Sequence, residues 1–198
     1  TRDGTRLLRL MQEDFCQVAG LSPLLKYESD GGPGLRDLFA TLAGSEHAHA
    51  DMRTLMASQI PFWLLRAPDG HAKNFSIQLL ARGRYQLAPM YDVMSSYPVL
   101  GNGPAHWSPF TVKLAMALLG KNRHYRMHNI QRRHFNSTAR IVSYGADAEP
   151  LIEEILSRTP AVIAEVAAEL PAGFSDHVAN TILEGLEKSA AALAAMSA

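Results

Sequence analysis

Asp69, His71, Lys73 and Asn74 lie within one short loop, "PDGHAKN" at 68–74, which follows an apolar helical run and precedes a run that alternates like a strand. Charged and amide side chains set between two apolar elements mark a place where a scaffold can present chemistry. A further aspartate, Asp92, lies eighteen residues after Asn74, and Gly83 falls midway, nine residues from each. A β-hairpin turning near Gly83 therefore sets Asn74 beside Asp92 at its open end, where the loop bearing Asp69 also arrives. Two carboxylates and a carboxamide then offer oxygen ligands and a proton acceptor. Such a set suits Mg2+, a hard cation held by one or two carboxylates plus substrate phosphates. It also suits phosphoryl transfer, which asks the protein for positioning, metal-assisted neutralisation and a base that accepts a hydroxyl proton.

The Asp69 to Asn74 interval, i, i+5, equals that of the kinase catalytic loop, and a metal-binding aspartate beyond a following hairpin completes that arrangement. On this reading Asp69 orients and deprotonates a substrate hydroxyl, Asn74 and Asp92 hold the metal, and His71 and Lys73 contact ATP phosphates or support the loop. The interval alone carries little, because Asp and Asn are common turn residues. The same three oxygens would serve a metal-dependent phosphohydrolase as well. Other candidates are weaker: His124 with His128 and His47 with Asp51 are spaced i, i+4 but lack a clear third ligand for zinc. Cys16, within "DFCQV", reads as a buried helical position where burial raises a thiol's pKa. "GGPG" (31–34) lacks the Lys-Ser/Thr ending of a phosphate-binding loop and reads as a structural turn.

The elements that must position these residues are mostly helical. Apolar spacing predicts a short helix over 5–19, turn chemistry in "ESDGGPG" (28–34), a helix over about 35–42 and a longer one over 45–66. In the longer helix Ser45 is the expected N-cap, Glu46 suits the first turn, and Pro61 kinks the helix or limits its last turn. A hairpin with its turn at Gly83 comes next, then an irregular Gly- and Pro-rich segment to about 109. Helices are expected again over 111–120, 128–142, 148–170 and 174–196. The fold class is mainly α with a small β-hairpin, α+β.

At 198 residues, with 47% apolar and 19% charged residues, the chain has the composition of one globular domain with a sizeable core. Its apolar runs are too short to span a membrane, and a lone Cys16 fits a reducing cytoplasm. The formal charge balances but is unevenly spread. From Val93 to Ala146 there is no Asp or Glu, while Lys113, Lys121, Arg123, Arg126, Arg132, Arg133 and Arg140 are basic; from Asp147 onward nine acids face Arg158 and Lys188. This asymmetry suggests either a polyanion surface or acidic helices packed beside the basic segment. The first residues lack an initiator methionine and run straight into an apolar pattern, as though cut from something longer.

"QEDFCQ" (12–17), "KYESDGGPG" (26–34), "DGHAKNFS" (69–76), "APMYDVMSSYPVL" (88–100) and "KLAMAL" (113–118) together resemble the C-terminal part of HipA-type toxin kinases, from about Arg6 to at least Val142. The resemblance implies the helical C-lobe of a protein-kinase-like fold and a bacterial serine/threonine protein kinase using ATP and Mg2+. It implies the toxin half of a type II toxin–antitoxin pair that causes growth arrest and persistence. The expected partners are a HipB-like helix-turn-helix antitoxin, DNA through the antitoxin complex, and a protein substrate, glutamyl-tRNA synthetase in some members. Residue by residue it makes Asp69 catalytic, Asn74 and Asp92 the magnesium pair, and His71, Ala72, Lys73 and Tyr91 part of the nucleotide-contacting segment with them. The sequence departs from ordinary protein kinases: Ala67 and Pro68 stand where His-Arg would precede Asp69, and Val93 stands after Asp92 where Phe-Gly would. Control by an activation loop docked on that arginine is therefore not expected. No glycine-rich loop with a following lysine strand precedes Arg6, so residues 1–198 read as a single HipA-like C-terminal kinase lobe that phosphorylates little alone. The alternative is a binding module that docks an antitoxin and operator DNA through 121–140 without catalysis of its own.

Overall fold

Alternation of apolar and polar residues over Ser76–Leu79 and Tyr85–Leu87 folds as expected into an antiparallel pair, but it is part of a larger arrangement. The structure, a computed structural model, describes residues 2–4, 6, 7 and 9–198. In chain order it contains β1 (Arg2–Asp3), β2 (Arg6–Leu7), β3 (Gln12–Asp14), α1 (Phe15–Val18), α2 (Leu35–Leu42), α3 (Ala48–Leu64), β4 (Ser76–Leu79), β5 (Tyr85–Leu87), β6 (Lys113–Leu119), β7 (Arg123–Arg126), α4 (Arg132–Ile141), α5 (Glu149–Glu169) and α6 (Asp176–Ala194). Among the described residues three antiparallel sheets result: β1 with β2, β3–β4–β5, and β6 with β7. The mainly helical α+β class holds.

The helix expected over 5–19 is corrected to strands β2 and β3 with helix confined to α1; residues 5 and 8 of that stretch lie outside the described residues. Asp14 is the reason for the switch. Its carboxylate accepts the Gln17 N–H at 2.9 Å while the Gln17 side chain accepts the Asp14 N–H at 2.9 Å, a capping box that starts the helix late. β3 then pairs with β4 instead of coiling.

α2 forms where expected, burying Leu35, Leu38, Phe39 and Leu42 at helical spacing. α3 starts three residues later than expected, after His47, and ends at Leu64 with Pro61 in its last turn. Ser45 and Glu46 are drawn off by the hairpin: the Glu46 N–H donates to Tyr85 O at 2.8 Å, and Ser45 Oγ is buried without a partner. Asp51, in the first turn of α3, accepts the Leu87 N–H at 3.0 Å and so fixes the end of β5 to the helix.

The helix expected over 111–120 is a strand, β6. Leu, Ala and Met favour helices, but propensity yields to tertiary context. Here Leu114 to Leu119 are all buried, and two of the strand's N–H groups are taken by distant side chains, Ala117 by Glu28 Oε2 and Leu119 by Thr138 Oγ1, both at 2.7 Å. A run buried on both faces loses the alternation that would identify it. His124, in β7, and His128, beyond it, accordingly share no helix face.

The core is one cluster in which Trp63, Phe15, Phe39, Phe75 and Phe135 are almost fully enclosed, and Trp63 Nε1 donates to Met127 O at 2.8 Å. The acidic helices do pack beside the basic segment: buried Arg132 is clamped by Glu149 and Glu153, and Asn136 Nδ2 donates to Glu149 Oε1 at 2.6 Å. Among the described residues no helix is long and apolar enough to cross a membrane.

Candidate functional site

The segment 67–75 leaves α3 and enters β4 through one 3-10 turn, Ala72–Asn74. Its start requires glycine at position 70, since a Cβ there would lie 2.6 Å from the Phe62 ring. The Asp69 carbonyl organises the rest of the turn, accepting from the His71 N–H and from Asn74 Nδ2, each at 2.8 Å. Asn74, nearly fully buried, also donates through Nδ2 to Asp92 Oδ2 at 3.1 Å. With its amide hydrogens directed at Asp69 O and Asp92, the amide orientation is fixed and Oδ1 is the atom left for another partner.

The expected meeting of Asn74 and Asp92 therefore occurs, by a route different from the expected one. Ile77 pairs with Leu87 and Leu79 with Tyr85, which centres the turn on Arg82 rather than Gly83; continued, that register would face Asn74 with Met90. Pairing ends after the Ala88 N–H bonds Ser76 O, and the chain bends back so that Asp92 reaches Asn74 with φ +56. A non-glycine residue held in the left-handed region is a local strain that the surroundings must sustain, and such strain clusters at functional sites.

Asp69 keeps its carboxylate 42% exposed. Its Oδ1 accepts the Tyr27 hydroxyl at 2.7 Å, a bond that together with burial pushes the phenol's pKa up to about 12. Its Oδ2 lies 3.7 Å from His71 Nε2. Burial lowers the His71 pKa against the pull of Asp69, and among the described residues its buried Nδ1 has no partner. Lys73 Nζ is paired with Asp14 Oδ2 at 2.8 Å, which raises the lysine's pKa. Burial raises the Asp14 pKa, but the Lys73 and Gln17 bonds outweigh it and hold the carboxyl below the usual range. Tyr91 donates to Lys73 O at 2.8 Å and shares a 2.6 Å bond with Ser76 Oγ, fastening the 88–92 segment to the loop. Ala72 turns its methyl into the core and gives its N–H to Lys26 O at 3.2 Å.

Among the described residues no group of three or more His, Cys, Asp or Glu side chains is gathered to hold a metal. The donor set here is instead the Asp92 carboxylate and the Asn74 amide oxygen beside it, which fits a hard cation completed by phosphate and water oxygens.

A family model described as the HipA-like C-terminal domain matches residues 2–166. The chain belongs to that family. It is 40% identical over 95 residues to "Putative kinase Y4mE" of Sinorhizobium fredii (strain NBRC 101917 / NGR234), covering 46% of this chain and 22% of that protein. To "Putative kinase Y4dM" of the same strain it is 29% identical over 110 residues, covering 56% and 26%. A chain of the solved Shewanella oneidensis MR-1 complex of the toxin–antitoxin system HipA, HipB and its operator DNA shares the fold at TM-score 0.78 and 21% identity, over 98% of this chain and 46% of that one. The chain thus spans about a quarter of the curated relatives and about half of the matched structure.

In this HipA-like domain, sequence reasoning missed Tyr27, which bonds Asp69, and Asp14, which pairs with Lys73. Both lie in stretches already singled out, "KYESDGGPG" and "QEDFCQ", yet they are 42 and 59 residues from their partners. Periodicity, which reports neighbours a turn or a hairpin away, carries no signal at that separation. Missed too were Ser95 and Ser96, whose hydroxyls bond Leu65 O and Arg66 O and so tie the segment after Asp92 to the end of α3.

Proposed function

We propose that this HipA-like domain is the catalytic lobe of a serine/threonine protein kinase, with Asp69 as the base and Asn74 and Asp92 as the magnesium pair. The observation that carries the reading is the Asn74 amide, which bonds the Asp69 carbonyl and Asp92 Oδ2 at once and so ties these three residues together at one end of the hairpin. Tyr27 holds Asp69 Oδ1, and Oδ2 is left to meet an acceptor hydroxyl. The acceptor oxygen forms its bond to the γ-phosphorus of ATP as that phosphorus parts from the bridging oxygen of ADP, and the hydroxyl proton goes to Asp69. Asn74 Oδ1 and the Asp92 carboxylate would hold Mg2+, which would supply neutralisation of the charge on the transferring group. His71, Ala72, Lys73 and Tyr91 serve the nucleotide side, chiefly by holding the loop in shape.

The domain acts within a longer or assembled kinase, since a phosphate-covering lobe has to be supplied to it. On the same reading it belongs to a cytoplasmic toxin paired with a HipB-like helix-turn-helix antitoxin and, through it, operator DNA. Support comes from the family match and from the two relatives named as kinases. The test is incubation with γ-labelled ATP and Mg2+, the chain alone and within any longer natural sequence that carries it, with glutamyl-tRNA synthetase as the first acceptor tried. A labelled phosphoprotein is expected from the longer form, and little from the chain alone. Free phosphate alone would point to a phosphohydrolase, and no turnover in either form would refute both.

A second reading, a module that docks antitoxin and DNA, is favoured by cations of the basic segment other than Arg132 and Arg140. Arg132 is buried in its acid clamp and Arg140 donates to Ala146 O. Lys113 and Arg126 instead face each other across β6 and β7 and, with Arg123, line a basic cavity of about 310 Å3. Under that reading, binding to operator DNA with antitoxin falls steeply with salt and with Arg126→Ala, whereas Asp69→Ala leaves it unchanged.

A further inference from the structure

A cavity of about 450 Å3 opens beside Asp69, lined by Tyr27, Pro68, Met94, Val99 and Trp107 as well as the aspartate itself. Lys73, Asn74, Tyr91 and Asp92 take no part in its lining, so it shares only Asp69 with the proposed catalytic and nucleotide residues. Its walls offer little polarity. Tyr27 and Asp69 are bonded to each other, and the hydroxyls of Ser95 and Ser96, also in the lining, are turned outward onto Leu65 O and Arg66 O. What remains is the surface of Pro68, Met94, Val99 and Trp107. Met94 is 65% exposed, Val99 44% and Trp107 57%, a concentration of large apolar side chains in water that a structural role does not require. The frame is nonetheless fixed: the Trp107 N–H donates to Val99 O at 2.9 Å, the Gly101 N–H to Trp107 O at 3.0 Å, and the Ser96 N–H to Arg66 O at 3.2 Å.

We infer that this cavity is the acceptor-side specificity pocket, which takes a bulky apolar side chain next in sequence to the Ser or Thr whose hydroxyl meets Asp69. The inference rests on the kinase reading and adds its substrate class, a protein segment in which the acceptor is flanked by Leu, Met or Phe. The Asp69 carboxylate in the wall ties the occupant to a hydroxyl donor, and the apolar remainder sets its neighbour. An acidic neighbour is repelled by Asp69, while a basic one competes for the carboxylate that the hydroxyl needs and leaves its own charge poorly solvated.

Trp107 reports on the pocket directly. The chain has two tryptophans, and Trp63 is 2% exposed against 57% for Trp107, so acrylamide quenching reads Trp107. The probes are capped peptides of odd length with a central Ser flanked by Leu, by Lys or by Glu. Leu-flanked peptides are expected to shield Trp107 and to bind about tenfold more tightly than the charged ones. Val99→Glu, a change at an exposed position, should erase the preference for Leu without altering thermal unfolding. Equal binding of all peptides, an unchanged preference in both Val99→Glu and Met94→Glu, or shielding by adenosine in place of peptide each overturns the assignment. Failure of the kinase reading looks different: Leu-flanked peptides still shield Trp107 but are never phosphorylated. Phosphorylation without any flank preference removes the pocket assignment and leaves the kinase reading standing.

Discussion

Two charged regions of this HipA-like domain look equally promising in sequence and come out differently in three dimensions. At Arg132 the charge has found its complement: the guanidinium is clamped by Glu149 and Glu153, Asn136 spans from Glu149 to the Ala148 N–H, and the Glu149 carboxyl is held below its usual pKa chiefly by Arg132. Around Asn74 one amide bonds the Asp69 carbonyl and the Asp92 carboxylate, and the two carboxylates are met by neutral donors, Tyr27 and Asn74, rather than by a lysine or arginine. Lys73, the nearest cation in sequence, is spent on Asp14. The first arrangement is closed and holds the fold together; the second leaves negative oxygen atoms short of positive charge, which is what a site for Mg2+ and phosphate requires. Charge in a sequence therefore says little about function until its partners are known.

That contrast can be broken most forcefully at Arg132. Arg132→Ala strands Glu149 in a partly buried position and is expected to cost about 3 kcal/mol, lowering the midpoint of thermal unfolding by roughly 6–12 °C for a chain of this size. An unchanged midpoint would mean that the clamp is decorative. pH is the next lever. His134 stacks on His124 with ring centroids 3.8 Å apart, and burial, then His124, then Arg133 push its pKa down to about 4. A histidine that resists protonation when folded contributes stability above its unfolded pKa of about 6.5, and that contribution drains away as pH falls toward 4. Unfolding free energies from urea titrations should therefore decline over that interval by about 1–3 kcal/mol, and His134→Asn should flatten the decline.

On the open side of the comparison the expected effects on stability are smaller. Tyr27→Phe removes one hydrogen bond to Asp69 and should cost about 1 kcal/mol or less, with a several-fold slower phosphotransfer because Asp69 loses its fixed orientation. Asp92→Asn should change stability by no more than about 0.5 kcal/mol, since the protein gives it no cation to lose. A destabilisation comparable to that of Arg132→Ala would show that Asp92 is a structural acid and would erase the distinction between the two regions.

How far the sequence discloses this depends on how local each cause is. α2 is written in four apolar residues at helical spacing, and the meeting of Asn74 with Asp92 is readable from a hairpin even though the register is centred one residue from the expected turn. β6 is not readable, because "KLAMALL" favours a helix in isolation and becomes a strand through Glu28 and Thr138, 89 and 19 residues away from the N–H groups they accept. The late start of α1 depends on Asp14 capping instead of an earlier residue, and the late start of α3 on Glu46 bonding to the hairpin. Within the candidate site the loop residues were legible as a group. Tyr27 was not, because no spacing rule links a tyrosine to an aspartate 42 residues on.

The central claim, that Asp69, Asn74 and Asp92 form one phosphoryl-transfer site and not a structural cluster, is tested most directly by γ-phosphate transfer in the longest natural form of the chain, native against Asp69→Ala, with thermal unfolding recorded on the same samples. The account predicts a loss of about 10²–10⁴-fold in transfer rate with an unfolding midpoint that hardly moves. Undiminished transfer by Asp69→Ala, or a loss that merely tracks unfolding of the variant, would contradict it.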